Sequence, residues 1–247
     1  MTAEPVTVTF AGSGDAFGSG GRFQACIHID HPGVPWPVLL DCGATSMTAL
    51  RRAGLDPGEI GVVFISHLHG DHFGGLPFLI LDGQFSHREN PLRIVGPPGT
   101  DERLAEAMEC MFPGSTQVRR EFLVVVTDLS PGQRLDFPGL RVEARSARHP
   151  SGASALILRL EIGGKVIAYT GDTSWTDAIP LAAAGADLLI AEAYHRHKAV
   201  PYHLRLDDLT EHMSELKARR IILTHMSADM LAHPGENHAH DGLVVQV

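Results

Sequence analysis

The sequence predicts an α+β protein built as a four-layer αβ/βα sandwich, two sheets face to face with helices outside, in one domain spanning 1–247. Three observations carry this expectation. Short apolar runs of strand length recur between tight turns, as 26 Gly and 16 Pro imply. Helical patterns follow the strands in the first part of the chain, and the second part repeats the trend. Aspartates and histidines stand just after the apolar runs, where strand ends can gather at one edge of a sheet.

Residues 6–10 alternate apolar side chains with Thr, the mark of a half-buried strand. The glycine-rich stretch 12–21 lacks the G-x-G-x-x-G spacing and opens no helical pattern. It reads as a tight loop that lets backbone approach a site. Residues 25–30 and 38–40 are strands around a turn containing Pro32, Pro35 and Pro37, and Asp41 ends the second. Residues 45–53 form a short helix, N-capped by Thr45 or Ser46 and closed by Gly54. A strand at 62–65 runs into the segment 66–75, and a helix is expected from about 72 to 81. Residues 92–95 are a strand, and Thr100 caps a helix over 101–111. Strands follow at 122–126, 134–137 and 140–144. Residues 154–161 and 165–170 form a hairpin across Gly163-Gly164. A helix at 176–184 and a strand at 187–191 come next. Residues 207–218 form an amphipathic helix with Leu209, Met213 and Leu216 on one face. A strand at 221–223 follows, and 244–247 can close a sheet.

Composition excludes several classes. Hydrophobic residues make up 44% of the chain, as in a globular protein with a sizeable core. The formal net charge of −9, with arginine pairs scattered along the chain, argues against a general nucleic-acid surface. Cys26, Cys42 and Cys110 are odd in number and form no CxxC, so reduced thiols are expected, with Cys42 a buried small hydrophobe. No run reaches the ~20 apolar residues of a membrane span. The first five residues lack the basic and apolar segments of a leader. These features predict a cytoplasmic protein without a membrane partner.

The segment Ser66-His67-Leu68-His69-Gly70-Asp71-His72-Phe73-Gly74-Gly75 concentrates three histidines and an aspartate between two apolar runs. Burial does not call for such a cluster, and crowding imidazoles without a metal is costly. His149, Asp172 and His225 each occupy the same setting, a turn just after a strand. If those strand ends converge, His67, His69, Asp71, His72, His149, Asp172 and His225 form a metal-ligand set for two ions. His67 and His69 face one ion, Asp71 and His72 face its neighbour, and Asp172 bridges. Nitrogen and oxygen donors suit zinc first, with manganese or iron as alternatives. His28, His31, His87, His195, His197, His212, His233, His238 and His240 read as surface or structural residues.

The spacing His67-Leu68-His69-Gly70-Asp71-His72 resembles the H-x-H-x-D-H signature of the metallo-β-lactamase fold superfamily. Asp41, the 67–72 cluster, His149, Asp172 and His225 follow in that family's order, over nearly the whole chain. The resemblance implies the αβ/βα sandwich with a two-metal site at its edge, and gives Asp41 a supporting role without metal contact. Residues 64–77, 10–14 and 221–227 are similar to the ribonuclease Z branch. That branch pairs a glutamate from a His-Glu-Ala-Thr motif with a histidine before the final helix. Here Ala191-Glu192-Ala193-Tyr194 matches only the Glu-Ala core, and His203 stands where the partner would be. The long tRNA-gripping arm of the branch has no counterpart in the short interval 150–171. With the acidic charge, this favours a small-molecule or short, single-stranded phosphodiester over tRNA.

The resemblance thus implies a metal-dependent hydrolase, a phosphodiesterase using a bridging hydroxide held by two divalent ions. Asp71 or Asp172 would orient that nucleophile. His203, positioned by Glu192, would be the general acid for the leaving group. Hydrolysis of a lactone, thioester or sulfate ester, or an iron-dependent oxidation on the same fold, are the alternatives. A homodimer is also implied.

Overall fold

The apolar runs of this chain are nearly continuous because most of its strands are covered on both faces. The computed structural model describes residues 4–247; residues 1–3, part of the stretch read for a leader, lie outside the described residues. Its elements are β1 (Thr7–Gly12), β2 (Cys26–Asp30), β3 (Val38–Leu40), α1 (Ser46–Arg52), β4 (Val62–Phe64), α2 (Gly70–Phe73), α3 (Leu76–Phe85), β5 (Leu92–Gly96), α4 (Thr100–Met111), β6 (Val124–Asp128), β7 (Arg134–Phe137), β8 (Leu140–Ser146), β9 (Leu156–Ile162), β10 (Lys165–Tyr169), α5 (Ala178–Ala183), β11 (Leu188–Glu192), α6 (Leu206–Glu211), β12 (Ile221–Thr224), α7 (Ala228–Leu231) and β13 (Leu243–Gln246).

Two sheets result. One runs β13-β1-β2-β3-β4-β5-β6 and the other β12-β11-β10-β9-β8-β7. Side-chain alternation sorts the strands between layers. Val62 and Phe64 of β4, Ile27 and Ile29 of β2, and Leu156, Leu158, Leu160 and Ile162 of β9 fill the space between the sheets. Val63, Cys26 and Leu39 point the other way, against Leu50 of α1, Leu76, Leu79 and Ile80 of α3, and Leu104 and Met108 of α4. On the far side Ile157, Ala168, Leu189 and Leu223 meet Ile179 of α5, Leu209 of α6 and Met230 of α7. The layers are therefore helix, sheet, sheet, helix, as the sequence predicts.

Local chemistry differs from expectation at four points. The helix expected over 72–81 is divided into α2 and α3 at Gly74-Gly75, because the Gly75 amide is drawn to the Cys42 carbonyl at 2.8 Å. The helix expected over 207–218 ends at Glu211, and consecutive turns carry Leu216 into the core while Met213 stays about half exposed. Thr45 and Thr100 do not cap with their hydroxyls. Thr45 Oγ1 accepts the Gln24 amide at 2.8 Å, and Thr100 Oγ1 donates to the Pro97 carbonyl at 2.6 Å. The hairpin does turn at Gly163-Gly164, with φ of 57° and 75°, values that L side chains rarely adopt.

The three thiols are free, with Cys26 and Cys42 buried and Cys110 exposed. Burial pushes the Cys26 thiol up to about 12 and the Cys42 thiol well above its usual value. The thiolate is the reactive form. A disulfide reagent at pH 8 should therefore modify one thiol per native chain, Cys110, and reach the other two only after denaturant is added. Fast labelling of two or more native thiols would contradict this burial.

Candidate metal centre

Apart from His203, which lies in the turn before α6, every candidate side chain enters from the C-terminal end of a strand. β3 leads to Asp41, β4 to residues 66–72, β8 to His149, β10 to Asp172 and β12 to His225, while β11 ends on Glu192. β3 and β4 are parallel in one sheet, and β10, β11 and β12 are parallel in the other. Parallel strands present like ends to the same edge, and the two edges meet here.

Asp41 sets the geometry of the first half. Its carboxylate is fully buried. Oδ1 accepts the Ser66 amide at 2.7 Å, and Oδ2 accepts the Ser66 and Tyr169 hydroxyls, each at 2.7 Å. His72 Nδ1 lies 2.7 Å from the same Oδ2 and must donate to it. That fixes the Nδ1 proton and leaves Nε2 facing inward as the atom a metal would take. The Ser66 hydroxyl, already donating to Asp41, accepts from His67 Nδ1 at 3.0 Å, so His67 also presents Nε2. His149 Nδ1 donates to the Tyr202 carbonyl at 3.0 Å, turning its own Nε2 toward His69 Nδ1, 3.0 Å away.

The donor atoms fall into groups whose members lie within 4.8 Å of one another: His67, His69 and His149; then Asp71, His72, Asp172 and His225. Asp172 lies between them. Its Oδ2 is 3.9 Å from His67 Nε2 and 4.0 Å from His149 Nε2. Its Oδ1 is 3.3 Å from His72 Nε2 and 3.5 Å from His225 Nδ1. Asp71 Oδ2 is 3.3 Å from His72 Nε2 and 3.1 Å from His225 Nε2. All seven residues predicted from the sequence as metal donors are thus brought together.

This donor set fits divalent cations. Tetrahedral bonds of 2.0–2.1 Å place neighbouring ligand atoms roughly 3.3 Å apart, close to the spacing around His72. His67 Nε2, His72 Nε2, Asp172 Oδ1 and His225 Nδ1 are buried without a hydrogen-bond partner. Four such atoms in one place would be costly unless a cation satisfies them. The charges agree. Burial and neighbouring imidazoles hold His67 and His69 below their usual pKa, leaving neutral rings with lone pairs to give. Burial opposes charge on His72 and His225, but the carboxylates around them outweigh it and raise both, His225 to about 10. Burial alone would raise Asp71 and Asp172, yet the imidazoles hold both below the usual carboxylate range. Without metal, protons on these rings occupy the place of a cation.

Glu192 organises the second half. It is fully buried. Oε2 accepts the amides of Thr173 at 3.0 Å and Leu204 at 3.2 Å, and Oε1 accepts a hydrogen bond from His203 Nδ1. Glu192 Oε1 is also 3.4 Å from His225 Nδ1, and His203 Nδ1 is 3.8 Å from Asp172 Oδ2. Neither Glu192 nor His203 is an isolated surface residue. Sequence reasoning missed Ser66, Tyr169 and Tyr202. Ser66 opens the histidine segment, which was a signal. Tyr169 and the Tyr202 carbonyl act across chain distances that no spacing reveals.

An Asp41→Asn variant puts an amide among donors and should lose about 3 kcal/mol or more in denaturant unfolding. A loss under about 1 kcal/mol would deny Asp41 its organising place. Zinc added to chelator-stripped protein should raise Tm and release protons, because the metal displaces them from His72 and His225. Calorimetry in buffers of different ionisation enthalpy measures that release, and an unchanged Tm would contradict a metal centre.

Residues 37–226 match the family model described as the beta-lactamase superfamily domain. Ribonuclease Z of Methanosarcina acetivorans is 26% identical over 273 residues, covering 90% of this chain and 87% of that protein. Among solved structures, the short form of human tRNase Z superposes with a TM-score of 0.80 at 26% identity, covering 97% of this chain and 98% of that one. YhfI from Bacillus subtilis, a metallo-beta-lactamase fold protein, superposes with a TM-score of 0.80 at 20% identity, covering 99% and 100%. A match across most of its length, on the fold and donor order described, shows that the chain belongs to the beta-lactamase superfamily, on its ribonuclease Z-like branch, and is a metal-dependent hydrolase.

Proposed function

We propose that this metal-dependent phosphodiesterase acts on a small or single-stranded substrate at a site for two divalent ions, with zinc the first choice by donor type. The observation that carries the reading is the Glu192–His203 pair, set against the shared carboxylate Asp172. Bound ions supply Lewis acidity and acidify the attacking water. The chain's own groups handle position and protons. His67, His69 and His149 present nitrogen donors on one side of Asp172; Asp71, His72 and His225 stand on the other. Asp71, held low by its imidazoles, accepts a hydrogen bond from the attacking water and aims it at phosphorus.

His203 serves the leaving group. Burial disfavours its charged ring, but the hydrogen bond and charge of Glu192 outweigh burial and raise its pKa. With Nδ1–H committed to Glu192, Nε2–H is the proton available to the departing alkoxide oxygen. Such an acid matters for a poor leaving group and little for a good one.

The relatives' names, ribonuclease Z and tRNase Z, support a phosphodiester of RNA as the kind of substrate and run mildly against the expectation that tRNA is disfavoured. A short substrate is favoured by the interval 150–171, which is taken up by the β9–β10 hairpin and its flanking loops. The net charge of −9 likewise provides no field to collect a long polyanion.

The metal-loaded protein should cleave bis-p-nitrophenyl phosphate. His203→Ala should slow a diester with an alkyl leaving group by about 10²-fold or more while changing bis-p-nitrophenyl phosphate cleavage by under about tenfold. Steady-state kcat on the two substrates measures this, and equal losses would remove the acid role.

A further inference from the structure

The glycine-rich loop 12–21 reaches the metal centre through Ser13. Its carbonyl accepts the His225 amide at 3.1 Å and the Thr224 hydroxyl at 3.3 Å. His225 needs this hold. Its backbone is left-handed, with φ of 55°, a conformation that a non-glycine residue keeps only when its surroundings impose it. The Ser227 amide, on the Tyr194 carbonyl at 3.0 Å, secures the other side.

What holds Ser13 lies near the other end of the chain. Asp241 Oδ1 accepts the Ser13 amide and the Ser13 hydroxyl, each at 2.9 Å, and Oδ2 accepts the Phe23 amide at 2.8 Å. The Phe23 carbonyl in turn accepts the Gly14 amide at 2.7 Å, so one carboxylate grips both arms of the loop. The arms are too close for a side chain between them. A Cβ on Gly12 would lie 2.0 Å from the Gln24 carbonyl oxygen. Asp241 is itself tied to the strand that leads to His225. The Leu223 amide donates to the Asn237 carbonyl at 2.7 Å, and the Ala239 amide donates to the Leu223 carbonyl at 2.8 Å. Arg22 adds a bond to the Ala239 carbonyl at 2.7 Å. These bonds close a ring from β12 through 237–241 to Ser13 and back to His225.

We infer that Asp241 is a positioning residue for the metal donor His225, acting through Ser13, so that the C-terminal segment 237–241 sets how tightly the Asp71–His72 side of the centre holds its ion. An acceptor-only carboxylate fixes where its donors lie, and a displaced Ser13 carbonyl would release the strained backbone that aims the His225 ring. This role rests on the two-ion reading proposed above and holds whichever bond is cleaved.

Competition with a chromophoric chelator measures zinc affinity, and visible absorption of the cobalt(II)-loaded protein reports donor geometry. Asp241→Ala should weaken zinc about tenfold or more and shift the cobalt(II) band. Asp241→Asn keeps an acceptor oxygen for Ser13 but sets an amide nitrogen against the Phe23 amide, and should weaken zinc about threefold. Glu109→Ala is the control, because Glu109 also accepts the amides of Gly114 and Thr116 and the Thr116 hydroxyl, all within its own loop. It should leave zinc affinity and the cobalt(II) band unchanged. Unchanged zinc affinity in either folded Asp241 variant would overturn the inference, as would an equal loss in Glu109→Ala, the mark of general loosening. Uptake of a single zinc ion by the unaltered protein would remove the two-ion reading alone, since the Asp241 variants still report on that ion. Uptake of none would overturn both.

Discussion

The Asp41 carboxylate is the interaction on which the rest of the site depends. It stands at the end of β3, fully buried, with φ of 59°. Its acceptors take the Ser66 amide and hydroxyl, His72 Nδ1 and the Tyr169 hydroxyl. These partners come from the turn after β4 and from β10 in the opposite sheet. One side chain therefore locks the histidine segment to its own sheet and pins that sheet to the other. It also settles proton positions, because an acceptor-only group forces every partner to donate. The inward Nε2 atoms of His67 and His72 follow from that constraint. The backbone approach is equally close. A Cβ on Gly43 would lie 2.2 Å from the Asp71 carbonyl, so glycine there is a condition for the loop to seat.

Glu192 mirrors Asp41 in the second sheet. Both carboxylates are fully buried, and both collect amide and imidazole donors around a strand end. Desolvating a carboxylate is costly, and several N–H donors offset that cost. Backbone strain gathers in the same places. Of the non-glycine residues with positive φ, Asp41, Tyr202 and His225 are all at the site. His225 is held there by its amide on the Ser13 carbonyl at 3.1 Å, and Tyr202 by its carbonyl on His149. Strain of this kind persists only where the surroundings over-determine it. This gives the glycine-rich 12–21 loop its place: it buttresses His225.

The layered fold and the seven donors were legible because both depend on local patterns. Strands buried on two faces read as continuous apolar runs, and donors followed them at strand ends in each case. The helix limits were less legible because tertiary contacts decided them. Gly74-Gly75 breaks where Cys42 captures an amide, and the 207–218 pattern stops at Glu211, where His212 stacks on Trp175 and pairs with Glu215. The supporting groups were hidden by distance along the chain. Ser66 meets Asp41 across 25 residues and Tyr169 meets it across 128. Tyr202 contributes only a carbonyl, which carries no signature of residue type.

The donors and the selectivity sit on different parts of the chain. His67 and His72 are fixed by the Asp41 network, which can support any hydrolysis that divalent ions promote. In the proposed reading the choice of bond lies with the second half, where the Thr173 and Leu204 amides close on Glu192. The single turn 199–203 does two things at once. Its Tyr202 carbonyl orients His149, and the next residue, His203, is the one we propose as the acid. Tyr202, with φ of 67°, therefore stands where the turn that orients a metal donor meets the residue paired with Glu192.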